Sequence, residues 1–258
     1  MIQAVIFDWA GTTVDYGCFA PVQAFIEAFR QFGVEPTMEE TRTPMGLLKK
    51  DHIRTMLGME RIARAWRQVY GRKAGEADVE AIYAQFEPGL LSILEQFTAP
   101  KPHVCEAAAA LRDMGVRIGS TTGYTDAMME IVAPCAARQG YAPDLWLSPD
   151  SVGGLGRPYP YMIFENMRRL GVSSVKNVLK IGDTVSDMQE GINAGVWTAG
   201  VIEGSSALGL SEEEFSALPP EERETRCREA ARRFREAGAH FVLRTLADAP
   251  RLAAFLGG

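Results

Sequence analysis

The fold is decided by one stretch near the start of the chain, Val5-Ile6-Phe7-Asp8-Trp9-Ala10-Gly11-Thr12-Thr13-Val14-Asp15. Residues 4–7 are a short apolar run rich in β-branched side chains, which predicts a buried strand of a parallel sheet. The run ends at Asp8, and the glycine and threonines that follow predict a turn offering backbone N–H groups. Open α/β sheets bind ligands at the carboxyl ends of their strands. Asp8 is therefore a candidate for chemistry as well as for simple capping of a loop.

Size and composition favour a globular protein and argue against several other classes. The chain has 258 residues, 47% of them hydrophobic, which is enough for a sizeable core. The net charge of −6 gives no sign of a nucleic-acid partner. No signal sequence and no apolar run of membrane length is found, so we expect a cytoplasmic protein without a membrane partner. No CxxC spacing indicates a zinc site, and we expect reduced thiols at Cys18, Cys105, Cys135 and Cys227.

The spacing of apolar residues predicts an α/β core with a helical insertion. Helical spacing dominates from Phe19 to Phe97, whereas strand and helix patterns alternate afterwards. Such alternation is typical of βαβ units and a parallel sheet. We predict a core domain of residues 1–17 and 100–258, and a helical cap domain of residues 18–99 that can close over a ligand. Six strands are predicted, at 4–7, 116–120, 145–147, 178–183, 197–202 and 241–243.

Four more polar residues lie where the core would place them near Asp8. Thr122 follows a strand, and with the N–H of Gly123 it can hold a phosphate oxygen, although a plain turn explains it equally well. Arg157, in Gly-Arg-Pro-Tyr-Pro, is either a solvated loop residue or a planar cation for phosphoryl oxygens. Asp183 and Asp187, in Gly-Asp-Thr-Val-Ser-Asp, are either helix caps or ligands for Mg²⁺. Each signal is weak alone.

In chain order these residues resemble the four motifs of the haloacid dehalogenase superfamily, whose first motif reads Asp-x-Asp-Gly-Thr-x-x-Asp. The resemblance implies a Rossmann-like parallel sheet core of the haloacid dehalogenase type with an inserted all-helical cap domain. It also implies that Asp8 is a nucleophile that takes up a phosphoryl group, and that Thr122 and Arg157 bind phosphate. The Mg²⁺ ligands that it implies are Asp8, the backbone carbonyl of Ala10 and Asp183, with Asp187 as a secondary residue of the metal site.

Ala10 is the one departure from this motif. In ordinary phosphatases of the superfamily an aspartate at this position protonates the departing oxygen and later activates water, and an alanine can do neither. Two explanations compete: the protein is a degenerate binding module, or its leaving group is not an oxygen. Because the nucleophile, metal and phosphate positions are intact, the second explanation is favoured.

A lysine in the predicted cap offers the missing activation. Residues 45–57 predict a helix that carries four residues on one face, Met45, Lys49, His52 and Met56. Lys49 could simply extend its aliphatic stem along the helix surface. An apolar setting would lower its pKa, and a neutral amine attacks carbonyls to form imines. The adjacent Lys50 would point about 100° away, toward solvent. An aspartate nucleophile with an imine-forming lysine suggests cleavage of a phosphorus–carbon bond.

The motifs Met-Gly-Leu-Leu-Lys-x-Asp-His, Gly-Ser-Thr-Thr-Gly-Tyr-Thr and Gly-Arg-Pro-Tyr-Pro, together with the first stretch, resemble the phosphonoacetaldehyde hydrolase family (phosphonatases). This resemblance implies a small phosphonate substrate, an imine on Lys49 and attack of Asp8 on phosphorus. It implies that His52 shuttles protons, with Tyr124 as a second candidate, and that Cys18 and Met45 line the pocket. It also implies a homodimer that forms through the cap.

Three rival functions remain open at this stage. One is a phosphatase or phosphomutase of the same superfamily that acts on a small phosphate ester, against which Ala10 argues. Another is a haloalkanoic acid dehalogenase, which would leave the metal carboxylates without a use. The third is a non-catalytic phosphate-binding protein.

Overall fold

The architecture is a single parallel sheet with helices between its strands. The structure, a computed structural model, describes residues 1–257. Six strands pair in the order β3-β2-β1-β4-β5-β6, every neighbouring pair parallel, which confirms the predicted α/β fold and its six strands. The strands are β1 (Ala4–Phe7), β2 (Arg117–Thr121), β3 (Leu145–Leu147), β4 (Val178–Gly182), β5 (Trp197–Val201) and β6 (Phe241–Leu243).

Helices fill the connections, and the longest of these connections is entirely helical. Residues 19–97, all within the described part of the chain, contain five α-helices and a closing 3₁₀ turn but no strand. None of the helices formed by residues 1–257 has the length and apolar character that a bilayer crossing demands. The helices are α1 (Phe19–Gln31), α2 (Met38–Arg42), α3 (Lys49–Gly58), α4 (Glu60–Tyr70), α5 (Glu76–Ile93), α6 (Val104–Asp113), α7 (Asp126–Arg138), α8 (Tyr161–Leu170), α9 (Val185–Ala194), α10 (Glu212–Ala217), α11 (Pro220–Glu236) and α12 (Ala249–Phe255).

The strand order creates one place where ligands are expected. β1 pairs with β2 on one side and with β4 on the other, so the direction of winding reverses between β1 and β4. In doubly wound sheets this switch point opens a crevice at the carboxyl ends of the strands. Asp8 directly follows β1 and Asp183 directly follows β4, so both carboxylates lie at the switch point.

The chain leaves the sheet for the inserted helices and returns to it at adjacent positions. Val14 and Pro100 form an antiparallel bridge, and the Lys101 backbone N–H donates to the carbonyl of Thr13 at 2.9 Å. The Lys101 side chain is buried, and its ammonium donates to the carbonyl of Gly11 and, at 2.7 Å, to that of Glu203. The segment in which the chain returns to the sheet is therefore tied to the turn that follows Asp8.

The predicted helix from Met45 to Leu57 is wrong at its start, because α3 begins only at Lys49. Gly46 has a φ of +88°, a conformation that side chains other than glycine rarely adopt, and an added Cβ would meet the Thr184 hydroxyl at 2.5 Å. Residues 43–48 therefore form turns that contact the core. Met45 lies in this turn and not on the helical face with Lys49, although it is buried.

Candidate active site

A small, narrow pocket, the cavity of this site, lies between the carboxyl edge of the sheet and the inserted helices. Its volume is about 20 Å³, which is room for about one water molecule. Both the core and the inserted helices contribute walls, so the two parts of the chain meet here. Of the residues predicted for the site, the cavity is lined by Asp8, Ala10, Cys18, Met45, Lys49, Thr122, Gly123, Tyr124 and Arg157. His52, Asp183 and Asp187 do not line it.

Three buried carboxylates form a cluster next to this cavity. Asp8, Asp183 and Asp187 each offer an oxygen, and these oxygens lie within 4.8 Å of one another. Burial, and then the charges of Asp8 and Asp187, raise the pKa of Asp183 to about 7. Burial and the charge of Asp187 also raise the pKa of Asp8. The negative charges of carboxylates crowded in this way repel one another, and a bound cation would relieve that repulsion. Hard divalent cations prefer such oxygen ligands. The residues therefore fit Mg²⁺.

Asp183 is held in place by the loops on either side. The Thr12 hydroxyl donates to its Oδ1 at 3.2 Å, and the backbone N–H of Ser206 donates to its Oδ2 at 2.7 Å. Both donors come from the turns after β1 and β5, which are the turns joined by the side chain of Lys101. The orientation of Asp183 thus depends on these two turns.

Asp187 differs from the other two carboxylates because two cations contact it, whereas Asp8 contacts only Arg157. Its Oδ1 lies 2.9 Å from the Lys180 ammonium and 3.1 Å from the Arg157 guanidinium. Its Oδ2 accepts hydrogen bonds from the Thr184 backbone N–H and hydroxyl as part of a helix capping box. Burial alone would raise the pKa of Asp187, but Arg157 and Lys180 hold it below its ordinary value. Asp8 and Asp183 are consequently better placed than Asp187 to bind a metal directly.

Arg157 joins the nucleophile position to the rest of the network. One of its terminal nitrogens, Nη2, donates to Asp8 Oδ1 at 2.7 Å and to the Thr121 carbonyl at 2.8 Å. Burial opposes its charge, but the carboxylates of Asp187, Asp8 and Glu190 keep the pKa of Arg157 above its ordinary value. A guanidinium that stays charged beside Asp8 suits a phosphoryl group that arrives at that carboxylate.

The turn after β2 presents hydrogen-bond donors to the cavity. The Thr122 hydroxyl oxygen accepts from the Tyr124 backbone N–H at 3.0 Å, which leaves its own hydrogen to donate. Gly123 packs under the turn that precedes α3, where an added Cβ would lie 3.4 Å from the carbonyl oxygens of Gly46 and Leu47. Burial raises the pKa of Tyr124 well above its ordinary value, so the side chain remains a phenol. This wall can bind an anion or orient a polar substrate.

Lys49 has the environment of a reactive amine. It is the first residue of α3, its side chain is buried, and its ammonium lies 4.9 Å from the centre of the Tyr124 ring. The pKa of Lys49 is lowered to about 8, because the effects of burial and of the Arg157 charge outweigh the opposing effects of Cys18 and Asp8. The positive end of the helix dipole also disfavours an ammonium at this position. A pKa of about 8 leaves roughly a quarter of the amines neutral near pH 7.5.

Lys50 has none of these features. Its ammonium binds both carboxylate oxygens of Glu80, at 2.7 and 2.8 Å, and its side chain is 44% exposed. An exposed pair of this kind contributes little to stability. The contrast between the two neighbouring lysines that the helical spacing predicts is therefore present in the structure.

His52 is buried beneath the cavity and does not line it. Its Nε2 donates to the Thr41 carbonyl at 2.9 Å, and its ring stacks on Phe25 with centroids 3.8 Å apart. Burial and then the charge of Lys49 lower the pKa of His52 well below its ordinary value. The ring is therefore neutral, and its Nδ1, which has no partner among residues 1–257, is a free acceptor.

Cys18 and Met45 close the cavity on the side of the inserted helices. They form a small buried apolar cluster with Val22, next to Ala10. Burial raises the pKa of the Cys18 thiol, so this group is not a thiolate nucleophile. The methyl side chain of Ala10 brings no acid or base to the cavity.

The sequence analysis missed two buried charged residues, Lys180 and Glu190. Both are fully buried, and both contact the Thr121 hydroxyl. One signal was available, because a lysine inside the apolar strand Val178-Leu179-Lys180-Ile181-Gly182 is unusual in a parallel sheet. Lysine and glutamate are almost never fully buried unless paired, so such a lysine predicts a buried partner without identifying it.

Comparison with known proteins agrees with this geometry. The model of the haloacid dehalogenase-like hydrolases matches residues 2–195. A phosphonoacetaldehyde hydrolase of Lysinibacillus sphaericus is 53% identical over 251 residues, covering 97% of this chain and 93% of that protein. A bifunctional phosphonoacetaldehyde hydrolase/aminoethylphosphonate transaminase of Clostridioides difficile is 52% identical over 247 residues. That match covers 96% of this chain, and the chain spans only 39% of the bifunctional protein.

A solved structure extends the agreement to the whole fold. The crystal structure of a phosphonoacetaldehyde hydrolase-like protein from Oleispira antarctica superimposes with a TM-score of 0.95 at 37% identity. The superposition covers 99% of this chain and 92% of the Oleispira antarctica protein.

Proposed function

The chain belongs to the phosphonoacetaldehyde hydrolases of the haloacid dehalogenase-like family, and from this membership and the site geometry we propose that it hydrolyses phosphonoacetaldehyde to acetaldehyde and phosphate. The observation that carries the proposal is that Asp8 and a buried lysine of lowered pKa, Lys49, line the same small pocket. The first test is phosphate release from phosphonoacetaldehyde by the purified protein. If the protein binds phosphonoacetaldehyde but releases no phosphate, the proposal is wrong and the protein is a non-catalytic binding protein.

The first step that we propose is the formation of an imine on Lys49. Its neutral amine adds to the aldehyde carbon, and uptake of one proton with loss of water gives an imine that is protonated on nitrogen. The protonated imine lies two carbons from phosphorus, so it can accept the electron pair of the breaking phosphorus–carbon bond. In this proposal the Tyr124 phenol relays protons, because it lines the cavity and His52 does not, and Cys18 and Met45 exclude bulk water.

The second step is attack of Asp8 on phosphorus. An oxygen of Asp8 forms a bond to phosphorus while the carbon–phosphorus pair moves into an enamine on Lys49. Arg157, Thr122 and the Gly123 N–H then bind the phosphonate oxygens and offset the charge that develops on them. Protonation of the enamine carbon and hydrolysis of the imine release acetaldehyde, and water hydrolyses the aspartyl phosphate.

We propose Asp8, Asp183 and the backbone carbonyl of Ala10 as the ligands of Mg²⁺, with Asp187 holding the site through Lys180 and Arg157. When bound, Mg²⁺ would neutralise the phosphonate oxygens and relieve the repulsion between the two carboxylates of raised pKa.

We expect Asp183→Asn to lower kcat by at least about 10²-fold, because the substitution removes a charged ligand from the cluster. Chelation of the parent protein should abolish phosphate release, and added Mg²⁺ should restore it. Calorimetric titration with Mg²⁺ should show weaker binding to the variant than to the parent. Full activity after exhaustive chelation would refute the metal assignment.

Ala10→Asp should slow phosphonate cleavage by about tenfold or more, because a second carboxylate beside Asp8 raises the pKa of the nucleophile further. The same variant should acquire weak hydrolysis of a two-carbon phosphate ester such as glycolaldehyde phosphate, since it restores a general acid. Initial rates on both substrates, measured side by side with the parent, test this. A variant faster than the parent on the phosphonate would contradict our explanation of Ala10.

We propose that residues 18–99 act as a cap domain on the core formed by residues 1–17 and 100–258, and that the narrow pocket represents the cap in its shut position. We also propose a cytoplasmic homodimer that associates through the cap. Sedimentation equilibrium of the purified chain measures the oligomeric state directly.

A further inference from the structure

The Arg157 guanidinium is held by hydrogen bonds at two of its three nitrogens. Its Nε donates to Glu190 Oε2 at 3.1 Å, while Nη2 donates to Asp8 and to the backbone and hydroxyl of Thr121. Within residues 1–257, Nη1 is the only guanidinium nitrogen that donates to no protein group. Because the guanidinium is planar and rigid, contacts at Nε and Nη2 determine where Nη1 points.

Glu190 is itself held by buried protein groups and not by solvent. It is fully buried, and its Oε2 accepts the Thr121 hydroxyl hydrogen at 2.9 Å and lies 3.2 Å from the Lys180 ammonium. The Thr121 oxygen in turn accepts from Lys180 at 2.7 Å and from Arg157 at 2.9 Å. This hydroxyl therefore donates once and accepts twice, which is its full capacity. All four side chains are locked together.

We propose that Glu190 is a positioning residue for Arg157, holding the guanidinium so that Nη1 is presented to the oxygens of a bound phosphonate or phosphate. The inference rests on the proposed function, because it assigns these oxygens to the cavity beside Asp8. A buried carboxylate that only balanced charge would need no particular geometry toward Nε. If Glu190 instead orients Arg157 through its hydrogen bond to Nε, the effect depends on where the acceptor oxygen lies and not only on its charge.

Two variants separate position from charge. Glu190 Oε1 has no partner among residues 1–257, so E190Q can place its amide nitrogen there and keep an acceptor at the Oε2 position. E190D keeps the charge but withdraws the carboxylate by one methylene from Nε and from Thr121. Binding of inorganic phosphate in the presence of Mg²⁺ is measured by calorimetry, and each variant's thermal unfolding is recorded. Borohydride trapping of acetaldehyde on Lys49 reports a part of the site that Arg157 does not orient.

We expect E190D to bind phosphate about 10- to 100-fold more weakly than the parent and E190Q to stay within roughly fivefold of it. Trapping on Lys49 should proceed in both variants. Unchanged phosphate affinity in E190D, or a loss in E190Q as large as that in E190D, would overturn the proposal. The test does not use phosphonoacetaldehyde. A parent that binds phosphate but cannot cleave the phosphonate would thus refute the proposed function and leave the comparison of these variants intact.

Discussion

Asp8→Asn should reduce kcat for phosphate release by on the order of 10⁴-fold or more, because the variant keeps the size of the side chain and loses the atom that bonds to phosphorus. Asp8 is 4% exposed and accepts a hydrogen bond from Arg157 at 2.7 Å, which an amide oxygen can still accept. The substitution should therefore remove the nucleophile without emptying the cavity. Rates are measured by phosphate release from phosphonoacetaldehyde at saturating substrate and Mg²⁺.

The same variant separates the two proposed covalent steps. Formation of an imine on Lys49 does not need a nucleophile at position 8, so borohydride with phosphonoacetaldehyde should still label Lys49 in Asp8→Asn. Peptide mapping identifies the labelled residue. Activity within tenfold of the parent would show that another group attacks phosphorus, and loss of labelling would show that the substitution damaged the site as a whole.

Lys49→Arg should abolish both phosphate release and borohydride trapping, because a guanidinium stays charged at every accessible pH and cannot form an imine. The matched control is Lys50→Arg, which keeps a cation beside Glu80 on the exposed face of the same helix and should retain parental activity. Both variants are assayed for phosphate release and mapped after reduction with borohydride in the presence of acetaldehyde. Labelling of Lys50 in the parent, or retained activity in Lys49→Arg, would overturn the mechanism.

The lowered pKa of Lys49 gives this prediction a pH dependence. The neutral amine is the reactive form, so its fraction rises about tenfold per pH unit well below a pKa of about 8 and levels off above that value. The kcat/KM of the parent, which reports the free enzyme, should rise over the same range. The profile of Lys50→Arg should be superimposable on that of the parent.

The sheet and most of the site follow from local sequence signals. The strands β1, β3 and β6 are short apolar runs, β4 and β5 are mostly apolar, and parallel winding brings the strand ends to one edge. Asp8 and Thr122 line the cavity, and Asp183 lies beside it, because each directly follows a strand or its turn. The helical spacing also distinguished Lys49 from Lys50, since one residue of offset on a helix changes the face completely.

The start of α3 depended on information that the spacing of apolar residues lacks. The residues from Met45 onward satisfy a helical pattern, yet the chain needs a left-handed glycine at Gly46 to bring its turn against Thr184. A contact between the inserted helices and the core decides that conformation, and neither segment alone specifies it. His52 likewise follows the predicted helical face, but stacking on Phe25 takes its ring away from the cavity wall.

The ion network around Arg157 could not be predicted from the sequence either, because it also depends on contacts between distant segments. Lys180 and Glu190 lie on different elements, and only the packing of α9 on β4 brings both to the Thr121 hydroxyl. The resemblance to the haloacid dehalogenase superfamily implied that Asp187 is a secondary residue of the metal site. The structure adds that two cations already share its oxygen, so its main contacts are with Lys180 and Arg157.

The size of the pocket beside Asp8 bears on how substrate reaches this carboxylate. A space of about 20 Å³ has room for about one water molecule, which is less than a two-carbon phosphonate occupies. The residues that narrow the pocket come from the core and from the inserted helices, among them Cys18 and Met45. Substrate can therefore enter only when the inserted helices move relative to the core. If that movement is slower than the chemical steps, kcat reports the motion of the inserted helices and not the breaking of the phosphorus–carbon bond.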